Sequence, residues 1–200
     1  REKILLRENV EIIPRRELKA GELPCELDEN GIPGFGTFGN GHNIHITGLT
    51  HNEKGYPATD SAELHEAMVR RQVDKIEKHR LELPDVDIVN PEAEIVFISY
   101  GAPTRTVRQL LADEPDTYGH LNLRIVWPFP DHCLDEFKNA KAFIVPEMNL
   151  GQIAKEVRQY TNVKIITAPK LGGALHTVEE LKKAAAAAET ATRPVTEVRL

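Results

Sequence analysis

Between Leu64 and Ile76 the apolar residues Leu64, Met68, Val69, Val73 and Ile76 recur at three- and four-residue intervals, with charged residues between them. That spacing predicts an amphipathic helix reaching Arg80 and lying against something larger. Asp60 or Ser61 is placed to cap it, with Glu63 completing a capping box from Asp60.

Beyond Pro84 and Pro91 the pattern changes to strand-then-helix units. Glu94 to Tyr100 is a continuous apolar run ending at Gly101, and Val107, Leu110 and Leu111 give a helix from Thr104 to Asp113. A second strand is expected over Leu123 to Trp127, stopped by Pro128 and Pro130, then a helix near Asp131 to Asn139. A third strand spans Ala142 to Pro146, with a helix from Leu150 to Tyr160. A fourth spans Val163 to Thr167, and a last helix runs from Val178 into the Ala184 to Ala188 run, opened by a Thr177/Glu180 capping box. Parallel neighbours need helical crossovers, and those crossovers bury the strands. The expected fold is therefore α/β: a mainly parallel sheet of four or more strands with helices on both faces. An extended Gly-rich arm and the amphipathic helix precede it.

The arm from Gly31 to Pro57 holds seven glycines and little periodicity, so it reads as loop. Within it Asn43 to Leu49 alternates apolar and polar residues and predicts a short strand in an edge hairpin. The expected division is 1–59 arm, 60–83 connecting helix, 84–189 parallel α/β domain and 190–200 tail, the tail being left unassigned.

Forty per cent hydrophobic and 28% charged residues in 200 suit one ordinary domain plus an extended region. A net charge of -6 argues against nucleic acid or an anionic membrane surface as partner, since both require clustered cations. Two distant cysteines, Cys25 and Cys133, suggest a reducing compartment and exclude a cluster held by four cysteines of this chain. No apolar stretch is long enough to cross a membrane and no leader pattern opens the chain, so a cytoplasmic location is expected. A start at Arg1 rather than Met reads as truncation of a longer polypeptide.

Gly34, Gly36 and Gly39 match a dinucleotide-binding spacing, but no strand precedes them and no helix follows to supply amide donors. His42, His45 and His51 with Glu53 raise the question of zinc, yet on an extended segment His42 and His45 fall on opposite faces. No metal site is assigned. In open parallel sheets ligands gather at the carboxyl ends of strands, which selects Gly101, Pro128, Phe129, Pro130, Glu147, Asn149, Gly151 and Gln152. Glu147 and Asn149 are the conspicuous polar pair, expected to cap the following helix or meet a subunit more readily than to do chemistry. Arg105 and Arg108 beside the Ser99 to Arg108 segment are a weaker phosphate candidate. Ser99 lies in no nucleophile elbow.

Three phrases carry more information: Gly39 to Pro57 (GNGHNIHITGLTHNEKGYP), Trp127 to Pro130 (WPFP) and Glu147 to Gln152 (EMNLGQ). Together, in this order, they resemble the α subunit of the 2-oxoacid:ferredoxin oxidoreductases, particularly the 2-oxoglutarate branch, over roughly Asp28 to Leu181. The resemblance implies a thiamine diphosphate enzyme, with Mg and iron-sulfur clusters in the whole assembly, that decarboxylates a 2-oxoacid. It forms an acyl-CoA and passes electrons to ferredoxin. It also implies that the back half is similar to the C-terminal domain of transketolase, within a hetero-oligomer containing a β subunit and any further subunits. An N-terminal pyrimidine-binding domain is absent ahead of Arg1, so no catalytic residue is transferred and none of these cofactors is expected on the fragment alone. Its expected role is structural and subunit-assembling, with His42, His45, His51, Glu53, Gly101, Glu147, Asn149 and Gln152 as candidate interface or pocket residues. The rivals are the C-terminal domain of a transketolase or oxoacid-dehydrogenase relative, and a free-standing ligand-binding α/β module.

Overall fold

A computed structural model describes residues 14–83, 86–198 and 200. Two compact units divide the chain, Arg1–Lys78 and His79–Leu200.

Among its described residues, from 14 on, the first unit is mostly turn and extended chain ending in the helix α1 (Ala62–Glu77). Ser61, not Asp60, caps α1: its Oγ accepts from the Leu64 amide at 3.1 Å and donates to Glu63 at 3.2 Å. The helix stops at Glu77 instead of Arg80. No residue of α1 is buried, and Val69 and Val73 each remain 45% exposed on a groove shared with His65, Glu66, Arg70 and Asp74. The expected strand at 43–49 does not form, because those residues find no ladder partner. The hairpin-like pairing lies a few residues later, at the His51–Pro57 bridge, where Asn52 Oδ1 accepts from the Lys54 and Tyr56 amides.

The second unit is a six-stranded sheet in the order β1-β3-β2-β4-β5-β6. The strands are β1 (Val86–Val89), β2 (Ile95–Tyr100), β3 (Gly119–Leu123), β4 (Ala142–Glu147), β5 (Lys164–Pro169) and β6 (Val195–Glu197). All neighbours are parallel except β1, which runs antiparallel to β3 at one edge. Helices α2 (Pro103–Asp113), α3 (Gln152–Tyr160) and α4 (Val178–Thr190) connect them, so the expected parallel sheet covered on both faces is borne out. Pro84, read from sequence as a boundary, lies outside the described residues.

Three elements differ from the pattern-based expectation. Strand β3 is Gly119–Leu123, not Leu123 to Trp127: its buried His120 and Asn122 disguise it, while Arg124 to Trp127 is loop with Trp127 59% exposed. The helix expected at Asp131 to Asn139 is a 3-10 helix over Asp131–Glu136 that buries Cys133 and Leu134. The tail contributes β6, paired in parallel with β5.

Each face of the sheet has its own core. Val96, Ile98, Leu121, Phe143, Val145 and Ile165 meet Phe129, Phe137, Ala154 and Val157 on one side. Phe97, Ile144, Ile166 and Ala168 meet α2 and α4 through Val107, Leu110, Leu181, Ala184 and Ala185 on the other. Burying each large side chain contributes about 1.5–3 kcal/mol, and the small face of the α4 alanine run brings that helix close to the strands. Since α2 and α4 share a face but connect strands in opposite directions across the sheet, the β5-α4-β6 crossover has the opposite hand from β2-α2-β3 and β4-α3-β5. Parallel crossovers are overwhelmingly right-handed, which makes β6 the topologically unusual strand.

Candidate functional site

Chain direction across the sheet reverses between β2 and β4: β2 leads outward to β3, and β4 leads the other way to β5. Such a switch point opens a crevice at the carboxyl ends of the two strands. Tyr100 and Gly101 end β2 there, and Glu147, Asn149, Gly151 and Gln152 follow β4.

Glu147 is 1% exposed, and its carboxylate accepts from the Ile153 amide at 2.8 Å and the Ala154 amide at 3.1 Å. Asn149 Oδ1 accepts from the amides of Gly151 at 2.8 Å and Gln152 at 3.0 Å. The N-terminal amides that a helix leaves without intrahelical partners are thus taken, in α3, by two side chains of the loop before it. Asn149 Nδ2 donates to the Tyr100 hydroxyl at 2.8 Å, and that hydroxyl lies 3.5 Å from Glu147 Oε1. Burial, and then the Glu147 charge, push the Tyr100 phenol above its ordinary value. Gly151 sits at φ 81°, a left-handed geometry that lets the turn close without a Cβ penalty. Gln152 places its own side chain in solvent.

Pro128, Phe129 and Pro130, which follow β3, are all buried. Phe129 is 3% exposed and stacks on Tyr160, at the far end of α3, with ring centroids 5.4 Å apart.

A second polar cluster, which sequence reasoning missed, lies beneath the start of α2. His120 Nε2 is 2.8 Å from Ser99 Oγ, Ser99 Oγ is 2.9 Å from Thr104 Oγ1, and Thr104 Oγ1 donates to Asn122 Oδ1 at 3.0 Å. Asn122 Nδ2 donates to Asp87, which also meets Arg108 and Arg124. Because the Thr104 proton goes to Asn122, Ser99 donates to Thr104, and His120 Nε2–H donates to Ser99. That direction leaves His120 unable to accept the Ser99 proton, so the pair is no nucleophile and base. Burial first, and the Arg108 charge second, lower His120 from 6.5 to about 4, while its bonds to Asn122 and Arg124 hold Asp87 below the carboxylate range. The alternation of His120 and Asn122 with Leu121 and Leu123 was the available signal.

In the first unit the ring of His45 lies 5.7 Å from that of Tyr56, and His51 Nδ1 is 2.9 Å from the Leu49 carbonyl. Glu53 contributes its backbone carbonyl, which accepts from the Cys25 amide at 2.8 Å. Gly55 is at φ 83°, and a Cβ there would stand 2.8 Å from the His45 carbonyl oxygen. His42 is half-buried. Among the described residues no three His, Cys, Asp or Glu side chains are grouped to hold a metal. The sequence-selected residues therefore fall into two separate sets: His42, His45, His51 and Glu53 in one unit, Gly101, Glu147, Asn149 and Gln152 in the other.

The second unit belongs to a defined class: residues 93–181 match the family model for the pyruvate:ferredoxin oxidoreductase core domain II. Along nearly its whole length the chain is similar to 2-oxoglutarate synthase subunit KorA of Methanocaldococcus jannaschii, 45% identical over 92% of this chain and 51% of that subunit. The same subunit of Methanothermobacter thermautotrophicus is 36% identical over 90% of this chain and 51% of its own length. Among solved structures, a 2-oxoglutarate:ferredoxin oxidoreductase from Magnetococcus marinus, with 2-oxoglutarate, coenzyme A and succinyl-CoA bound, matches with a TM-score of 0.70 and 29% identity. That match covers 87% of this chain and 33% of the other. The chain is thus similar to the α subunits of 2-oxoacid:ferredoxin oxidoreductases, as the three sequence phrases implied, and spans about half the length of the curated relatives it matches. No helix of the described residues is long and apolar enough to cross a membrane.

Proposed function

We propose that the chain is part of the α subunit of a cytoplasmic, thiamine-diphosphate-dependent 2-oxoacid:ferredoxin oxidoreductase acting on 2-oxoglutarate, and that these residues serve assembly rather than chemistry. The whole enzyme, with a β subunit and any further subunits, converts the 2-oxoacid and CoA to an acyl-CoA and delivers electrons through iron-sulfur clusters to ferredoxin.

The observation that carries the assembly role is the closed N-terminus of α3. A diphosphate needs unpartnered amides, and those at the switch point are held by Glu147 and Asn149. The chain's only two cysteines, half-buried Cys25 and buried Cys133, belong to separate units, so its donor set does not fit a cluster either. Neither group suits these residues. The Gly-rich arm over 1–59 and the helix in 60–83 dock the other parts of the enzyme, which accounts for an α1 with no buried residue and for the exposure of Phe38 and Ile46.

The isolated 200-residue chain, given thiamine diphosphate, Mg, 2-oxoglutarate, CoA and a viologen acceptor, is expected to form no acyl-CoA. Acyl-CoA formation with reduction of the acceptor would overturn the assembly role.

A further inference from the structure

Leu150 is 68% exposed, Leu171 60% and Leu175 46%, each on a loop that follows a central strand. β4 and β5 are adjacent, with Glu147 opposite Pro169, and the Lys170 amide donates to the Glu147 carbonyl at 2.8 Å. The turn carrying Leu150 and the loop carrying Leu171 therefore leave neighbouring strands side by side. In the first, Glu147 and Asn149 hold the amides of residues 151–154 while Met148 is half-buried and Leu150 stays outside. The second has Gly172 and Gly173 at φ 89° and 82° with open space around both. Charge is missing here: 171–177 (LGGALHT) contains no acid or permanent cation, and Lys170 is tied to both carboxylate oxygens of Glu180. In a chain that is 28% charged, an uncharged rim with exposed leucines has the composition of an interface core.

We propose that this carboxyl rim of β4 and β5 docks the stretch of the α subunit that these 200 residues do not span. The inference rests on the function proposed above and names the occupant of one surface. Two observations select it. The relatives carry about as much chain again as the 51% matched here, so a tethered occupant is available. The patch is also small: stable association of free partners needs about 1,000 Å² of buried surface or more, which three leucines do not supply. A tethered segment meets the rim at an effective concentration of about millimolar, where so small an apolar contact suffices.

Hydrogen exchange tests this on three samples: the 200-residue chain, the full-length α subunit containing it, and that subunit with its β subunit. Amides of 148–151 and 171–175 should exchange on the order of tenfold more slowly in the full-length α subunit than in the 200-residue chain. A Leu150→Asp full-length variant should lose that protection while amides of β4 and β5 keep theirs. Equal exchange in all three samples overturns the inference. So does protection that appears only with the β subunit, which makes that subunit the occupant, or only on concentrating the 200-residue chain, which makes it a second copy. Oxidoreductase activity of the third sample reports separately on function: an active complex with an unprotected rim removes this inference and leaves the proposed function standing.

Discussion

Replacing His120 with Gln removes the one titrating ring from the buried chain His120–Ser99–Thr104–Asn122 while keeping a donor for Ser99. In the folded protein His120 is 1% exposed and its value is about 4, against 6.5 for the free side chain. At roughly 1.36 kcal/mol per unit, that gap corresponds to about 3 kcal/mol. The folded state holds the ring neutral, whereas the unfolded chain takes up a proton near its ordinary value. The contribution is therefore whole above the unfolded value, falls as pH drops from 6.5 towards 4, and changes no further below that. His176, lowered by burial, acts in the same direction, and the lowered carboxylates of Asp87 and Glu180 add losses as they protonate. Those contributions are common to both proteins, so the wild type minus variant difference isolates His120. Urea unfolding at a series of pH values should show the wild type's advantage over His120→Gln shrinking by about 3 kcal/mol between pH 7 and pH 4. Parallel curves for the two proteins would show that burial does not hold His120 neutral, as would an imidazole NMR titration of His120 with its midpoint near 6.5.

Three further outcomes follow from the same geometry. Gly151→Ala places a Cβ in a left-handed turn at φ 81° and should cost about 1–2 kcal/mol in urea unfolding, although its nearest neighbours stand at ordinary contact distances. Glu147→Gln leaves a neutral side chain with one acceptor oxygen facing the Ile153 and Ala154 amides. It should cost about 1–3 kcal/mol, with faster hydrogen exchange confined to the first turn of α3. Thr177→Ala removes the acceptor for the Glu180 amide and should lower stability by about 1 kcal/mol, a loss that Thr177→Ser should largely avoid.

The legible parts of the fold were those where one physical rule acted alone. Continuous apolar runs at Glu94 to Tyr100 and Ala142 to Pro146 marked strands buried on both faces, and Thr177 with Glu180 marked the start of α4 because both halves of a capping box are local. β3 was misplaced because its face towards α2 carries His120 and Asn122, whose burial depends on Ser99 and Thr104 far away in sequence. The Leu123 to Trp127 stretch offered a better local pattern, yet Arg124 to Trp127 is loop. β6 was invisible because a three-residue edge strand is decided by the open side of β5, not by its own sequence. Glu147 and Asn149 were found through the rule about carboxyl ends of strands. That their groups turn inward onto α3 depends on the positive φ of Gly151, which no periodicity encodes.

The proposed function makes these residues an assembly portion of a 2-oxoglutarate:ferredoxin oxidoreductase α subunit. The most direct measurement is 2-oxoglutarate- and CoA-dependent reduction of ferredoxin by the full-length α subunit co-purified with its β subunit. Succinyl-CoA should form in step with reduced ferredoxin, and activity should be lost when the β subunit is withheld. A complex that forms but turns over no 2-oxoacid, or that carries no iron, would contradict that function.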